Sequence, residues 1–282
     1  MLWESLRSAL ESIRAHGFRS VLTSLGIIIG VTSVIAVVSI VQGLSHTINA
    51  QFEGLGGNSL TIQSYTPFKR AMQGHRAKLR DHDIEVISKR VDGISHITPV
   101  LFAQSGTRGQ VSHRSQVTFA NVYGIGPSYL EVNSVYPQIG RFFTQEDERR
   151  RRLVCAVGPD VLEELEMPED SIGKFIRLGG EWCKIVGIME KRGEIFGFSQ
   201  DNYVLMPYAT AKRLMGASRD LDIQIQLLVE DMNRQDEVKE RIRHVLRREH
   251  GLKSGQGDDF KVQTAEQLTE SFNKVIDTIT YV

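Results

Sequence analysis

Two cysteines, eight histidines, a glycine-rich segment and a run of four arginines are the parts of this 282-residue chain with chemistry to offer. Cys155 and Cys183 are too few for a disulfide framework and lack the C-x-x-C spacing of zinc and thiol-redox sites. Should they occupy neighbouring strands outside the cytoplasm, they could close one bridge; otherwise both are core thiols. The histidines include no H-E-x-x-H pair that would set two imidazoles on one helix face around zinc. His75 and His82 read as surface residues of a loop and a helix start. "GLGGNSL" lacks the lysine of G-x-x-x-x-G-K-[ST] and follows no strand, so no cradle for nucleotide phosphates is expected, and no G-x-S-x-G elbow offers a serine nucleophile. In "EDERRRRLV", Arg149 to Arg152 could attract anionic lipid or nucleic acid, but Glu146, Asp147 and Glu148 offset most of that field. A solvated hairpin before a strand is the expected form. Lys plus Arg and Asp plus Glu balance at 34 each, which leaves no basic footprint for nucleic acid. The expectation is a non-catalytic chain that holds no cofactor or metal of its own.

The elements matter more than any one side chain. "LTSLGIIIGVTSVIAVVSIV", Leu22 to Val41, carries no charge. As a helix, twenty residues cover roughly 30 Å, the hydrocarbon thickness of a bilayer. A cleaved signal has an apolar core of only about 7–15 residues, and a soluble helix that is apolar on every face needs a large protein around it. The spacing therefore predicts one membrane span. Arg7, Arg14 and Arg19 precede it and no Lys or Arg follows until Lys69, so the amino-terminal end should stay in the cytoplasm and the rest lie outside. Ahead of the span, Trp3, Leu6, Leu10 and Ile13 recur at helical spacing, as in an amphipathic helix lying in the membrane interface or on another protein. Gly26, Gly30 and Ser33 present small residues where a second membrane helix could pack closely. Beyond the span, Gln42, Leu44, Ile48 and Phe52 continue the helical pattern as a stalk that the "GGN" at Gly56 stops.

The remainder predicts an α+β domain. "SLTIQSY" reads as a strand, "LRDHDIEVISKRVDG" as a helix and "ISHITPVLFAQSG" as a strand; "LDIQIQLLVED", "NRQDEVKERIRHVLRREHG" and "DDFKVQTA" repeat the β-α-β order. Between them, short strands punctuated by glycine, with "LGGEW" as a hairpin turn, predict an all-β insert. The expected division is a cytoplasmic interfacial helix at 1–17, the span and stalk at 18–56, a first β-α-β part at 57–109, the insert at 110–207, a second β-α-β part at 208–263, and at 264–282 a stalk leading into a further membrane helix. Thr264 and Gln267 have capping-box spacing at the start of that last segment.

Several segments in one order carry a resemblance. "RSVLTSLGIIIGVTSVIAVVSI", "LGGNSLTI", "GRFFTQED" with Gly140, Arg141, Phe143 and Asp147, "CAVGPDVLEEL", "IGKFIRLGGEWCKIVGIMEKRG" and "DNYVLMPYATAKRLMG" resemble the macrolide-exporter-type (MacB-like, FtsX-related) ABC transporter permeases. The resemblance covers nearly the whole chain, and it implies that the two β-α-β parts, 57–109 and 208–263, form a porter-like subdomain. It implies four membrane helices with the large periplasmic domain between the first two, of which this sequence holds only the first, so truncation before the second is expected. It also implies a homo- or heterodimer in the bacterial inner membrane, in contact with lipid and driven by a separate cytoplasmic ATPase subunit that binds ATP and Mg2+. A periplasmic membrane-fusion adaptor and an outer-membrane channel are further partners on this reading. The resemblance implies that ATP-driven motion reaches the periplasmic domain and drives export. Two alternatives stay open: a lipoprotein-release or FtsX-type branch acting on a cell-wall hydrolase or lipoprotein, and a membrane-anchored sensor without a motor.

Overall fold

Gly17–Glu53 forms one uninterrupted helix, α1, of 37 residues. The computed structural model describes residue 3 and residues 17–53, 58–102, 109–195, 198–216, 221–264 and 267, and divides into two compact units, 1–51 and 52–282. In the first, α1 carries the expected span: Gly17–Ser39 is long and apolar enough to cross a membrane. Trp3 is helical and exposed, while Leu6, Leu10 and Ile13 lie outside the described residues. The backbone of Gln42, Leu44, Ile48 and Phe52 is helical, with their side chains outside the described set.

In chain order the second unit contains β1 (Ser59–Ser64), α2 (Asp81–Arg90), β2 (Ile94–Phe102), β3 (Gln110–His113), β4 (Gln116–Phe119), β5 (Asn121–Ile125), α3 (Tyr129–Asn133), β6 (Pro137–Gly140), α4 (Gln145–Arg149), β7 (Val154–Val157), α5 (Pro159–Glu164), β8 (Phe175–Leu178) and β9 (Glu181–Met189). These are followed by β10 (Glu194–Ile195), β11 (Phe198–Ser199), β12 (Tyr203–Pro207), α6 (Tyr208–Leu214), β13 (Gln224–Val229), α7 (Gln235–Glu249) and β14 (Phe260–Thr264). The two expected β-α-β units interleave. Their strands lie in the order β14-β1-β13-β2, each antiparallel to its neighbour, so each helix connects two strands with a strand of the other unit between them. Leu60 and Ile62 alternate inward on β1 as the period-two pattern requires, and both are fully buried.

The insert is built on strands and also carries three short helices, α3, α4 and α5, which its glycine punctuation did not predict. Each is five or six residues long, too short to show a helical period. The insert is not set apart from the sheet. β5 pairs with β2, and the ladder continues through β12, β7, β9, β8, β3 and β4, giving one twelve-stranded sheet with β6 on β9. The main core likewise runs across both parts, from Leu60 and Ile225 to Ile176 and Cys183. The "LGG" turn joins β8 to β9 with Gly179 at φ +55° and Gly180 at φ +107°, the positive pair that a tight two-residue hairpin needs.

Helices α2 and α7 pack together, burying Val86 and Ile87 of one and Val238, Ile242 and Leu246 of the other. Their ends are tied by His250, whose Nδ1 lies 2.8 Å from Asp259 Oδ1 and whose Nε2 lies 3.3 Å from Asp83 Oδ1. Asp83 also accepts from the Arg80 amide at 2.8 Å, closing the cap of α2. The hydrogen bond to Asp259, then that to Asp83, outweighs partial burial and raises the imidazole to about 10. Because the folded value lies above the ordinary 6.5 or so of an unfolded histidine, the clamp contributes fully below that pH and is lost as pH rises through about 10. The full chain in detergent, melted in urea, should therefore lose stability between about pH 6.5 and pH 10, with His250→Gln showing a shallower decline over the same window. Equal slopes for the two proteins would exclude the clamp.

Candidate functional site

The span is exposed on every side of the helix. Leu22, Leu25, Ile27, Ile28, Ile29, Val31, Val34 and Val38 are 47–68% accessible, so the unit itself offers no core to receive them. A helix apolar all round with nothing over it is matched to hydrocarbon. Gly26 and Gly30 are equally open: a Cβ built on either meets no atom within 4 Å. Ser33, three positions on, is exposed with them. The structure therefore brings the three small residues to one surface of α1 and supplies no partner for it among the described residues. Thr23 returns its hydroxyl to the Arg19 carbonyl at 2.9 Å, which satisfies that polar group of the span within the helix.

"GRFFTQED" is a corner that the fold needs. Gly140 has φ +82°, and a Cβ there would stand 2.5 Å from the Val186 carbonyl oxygen, so the chain can leave β6 only with glycine at this point. Phe142 and Phe143 stack with centroids 3.9 Å apart and enter the smaller core beside Val154 and Val186. Thr144 and Asp147 then cap α4 reciprocally: the Thr144 amide donates to Asp147 Oδ2 at 2.9 Å, and the Asp147 amide to Thr144 Oγ1 at 3.4 Å. Arg141 Nη1 donates to Oδ2 of Asp147 at 2.8 Å and Arg152 Nη1 to Oδ1 at 3.2 Å. Asp147 is fully buried. Burial alone would raise its carboxyl, but the donors from Arg141 and Thr144 outweigh it and hold the group down at about 2.

This corrects the reading of "EDERRRRLV" as a solvated hairpin: Glu146 to Arg149 are helical, and only part of the run faces water. The missed signal was present as Thr144-x-x-Asp147, a capping box that a count of net charge passes over. No such signal marks Asp81, which accepts from both the Tyr208 hydroxyl and Lys212 Nζ and so ties α2 to α6.

Cys155 and Cys183 sit on β7 and β9, which pair in parallel, and both are buried free thiols. Cys155 lies opposite Ile185 rather than Cys183. The two side chains lie on one face of the sheet, two positions out of register, and their thiols are neighbours without a bond between them. Burial, then the neighbouring Cys183 thiol, pushes Cys155 well above its ordinary value, away from the reactive thiolate. His75 is exposed, His82 pairs with Glu249 at 2.9 Å, and no cluster of metal-ligating side chains occurs among the described residues.

Asp147→Asn should cost about 1.5–3 kcal/mol, because it removes a charged acceptor from two arginines while leaving the cap in place. Urea unfolding of the full chain in detergent at pH 7 measures this. A change within a few tenths would show that the arginines are satisfied by water.

A family model for the MacB-like periplasmic core domain matches residues 20–245. Among curated proteins, the macrolide export ATP-binding/permease protein MacB of Bdellovibrio bacteriovorus is 28% identical over 281 residues, covering 98% of this chain and 42% of that protein. The protein of the same name from Wolinella succinogenes is 30% identical over 280 residues, covering 99% of this chain and 42% of that one. The chain thus spans about two-fifths of the length of these relatives. Among solved structures, the periplasmic region of MacB from Actinobacillus actinomycetemcomitans superposes with a TM-score of 0.63 at 19% identity, covering 80% of this chain and 98% of that one. The extracellular domain of the noncanonic ABC-type transporter YknZ from Gram-positive bacteria gives 0.58 at 19% identity, covering 73% and 100%. An interleaved β-α-β sheet, a glycine-cornered insert and a family match over most of its length together show that this chain belongs to the MacB-like periplasmic core domain family.

Proposed function

We propose that this chain is the first membrane helix and extracytoplasmic domain of an ABC-type transporter permease, transmitting motion from ATP hydrolysis on a separate subunit to a domain outside the membrane. The observation that carries the reading is the continuity of α1, which runs as one helix through the apolar segment and for about four further turns beyond Ser39. A helix keeps displacement along its axis, where a flexible linker of equal length would absorb it. In this reading the arginines ahead of the span keep the amino-terminal side in the cytoplasm, with the residues after the span in the periplasm of a bacterial inner-membrane protein. Export, rather than hydrolase regulation or lipoprotein release, is favoured because the curated relatives are named for macrolide export. ATP and Mg2+ belong on the partner subunit in this reading, and a second protomer packs against Gly26, Gly30 and Ser33, the open small-residue surface of α1. A periplasmic adaptor and an outer-membrane channel complete the route as further partners.

Replacing Gln42 and Gly43 by a flexible glycine–serine insertion in the full-length permease, reconstituted with its ATPase, should leave ATP hydrolysis and abolish export. Export at the original rate would sink the lever. Gly26→Leu should weaken association of α1 with a second membrane helix, read as lost cross-linking between protomers in bilayers; unchanged cross-linking would move the dimer contact elsewhere.

A further inference from the structure

Strands β9, β8, β3 and β4 have one covered face and one bare one. Val111, Ile176, Leu178 and Cys183 point into the main core, and Thr118 of β4 hydrogen-bonds Glu164 of α5 on that side. The opposite face carries Trp182 at 55% exposure, Phe175 at 48%, Val117 at 51% and Phe119 at 70%. Together these leave on the order of 400 Å² of apolar surface in water, the size at which a patch on a soluble domain signals a contact.

The charge pattern says what kind of contact. Arg177 lies directly opposite Trp182 across the β8–β9 hairpin, and Phe175 directly opposite Lys184. Two aromatic rings and two cations therefore form a checkerboard at strand spacing. Arg177 gives its Nε to the Gly180 carbonyl at 3.2 Å, and neither cation has an ion-pair partner among the described residues. By the strand registers, no outward position of these four strands holds a carboxylate. At one end the face opens into a groove of about 640 Å³ between the turn at Arg114, the loop at Pro168 and the rings of Phe175 and Trp182, with Lys174 and one carboxylate, Glu166, also lining it.

We propose that this face binds an extended segment of a partner protein whose every second residue, on the side toward the sheet, is acidic and apolar in turn. Side chains of an extended segment alternate between its two faces, so the residues on one face stand two positions apart, as Phe175 and Arg177 do, and their carboxylates meet Arg177 and Lys184 while their apolar side chains cover Phe175 and Trp182. A second copy of this chain is a poorer fit, because the same face of that copy offers no carboxylate on these strands to meet Arg177 and Lys184. A lipid surface has no reason for cations and rings to alternate at strand spacing.

Trp182 makes the test direct, since the chain has two tryptophans and Trp3→Phe leaves it as the single emitter. The full chain with that substitution, in phosphatidylcholine nanodiscs, is titrated with two synthetic peptides about eight residues long that carry threonine at every second position and, between the threonines, valine in turn with either glutamate or lysine. The glutamate peptide should change Trp182 emission and bind at least about tenfold more tightly than the lysine peptide, and Arg177→Glu with Lys184→Glu should reverse that order. Both substitutions are on exposed strand positions, so near-UV circular dichroism should stay unchanged. Equal response to the two peptides, no response to either, a comparable response to added phosphatidylglycerol vesicles, or an emission change with protein concentration alone would each overturn the proposal.

Discussion

Three residue pairs, Val100 with Ile125, Leu101 with Gly124 and Phe102 with Tyr123, join the four strands of the interleaved units to the other eight of the sheet. This β2–β5 seam makes one mechanical body of two sequence segments. It works because Gly124 has no side chain: a Cβ there would fall 2.3 Å from that of Ala211, so α6 could not lie across the junction. Phe102 and Tyr123 close the seam edge to face at 5.3 Å. On either side of it Asp81 binds Tyr208 and Lys212, and Asn133 Nδ2 reaches Gln226 Oε1 at 2.9 Å. Hydrogen bonds, a ring pair and a helix thus brace a narrow ladder in three directions.

The Gly140 corner serves the same end at the far side of the insert. It turns the chain sharply enough for Phe142 and Phe143 to cover β7 and β9, and the ion pairs of Asp147 hold the turn shut. A buried carboxylate between two arginines fixes geometry more than it adds stability, because much of the attraction offsets desolvation. That suits a corner whose angle sets how the insert meets the sheet.

What could be read from residues alone follows from the range of the forces involved. β1, α2, β2, β13, α7 and β14 were legible because their apolar residues recur within the segment: Leu60 and Ile62, or Ile225, Leu227 and Val229, at two, and Val238, Ile242, Val245 at helical spacing. The hairpin turn at Gly179 and Gly180 and the capping box of Thr264 with Gln267, whose amide donates to Thr264 Oγ1 at 3.1 Å, were likewise local. The order of strands was not legible, since nothing within β5 says that its partner is β2. Asp81, Tyr208 and Lys212 meet across more than a hundred residues of sequence, and only the closed sheet brings them together. For the same reason the aromatic–cation face is invisible as sequence: "KFIRLGGEWCK" reads as an ordinary hairpin until the register sets Trp182 against Arg177.

One consequence lies in where the chain enters and leaves the sheet. It enters at Ser59 and leaves at Thr264, and Leu60 pairs with Thr264 on adjacent antiparallel strands. Tension that spreads the chain on either side of the sheet would unzip this ladder one rung at a time from that end, while tension shared equally by both strands leaves it unloaded and passes to the ladder between β1 and β13. The edge ladder therefore feels only the parting of the two strands, and the inner one bears what they carry together.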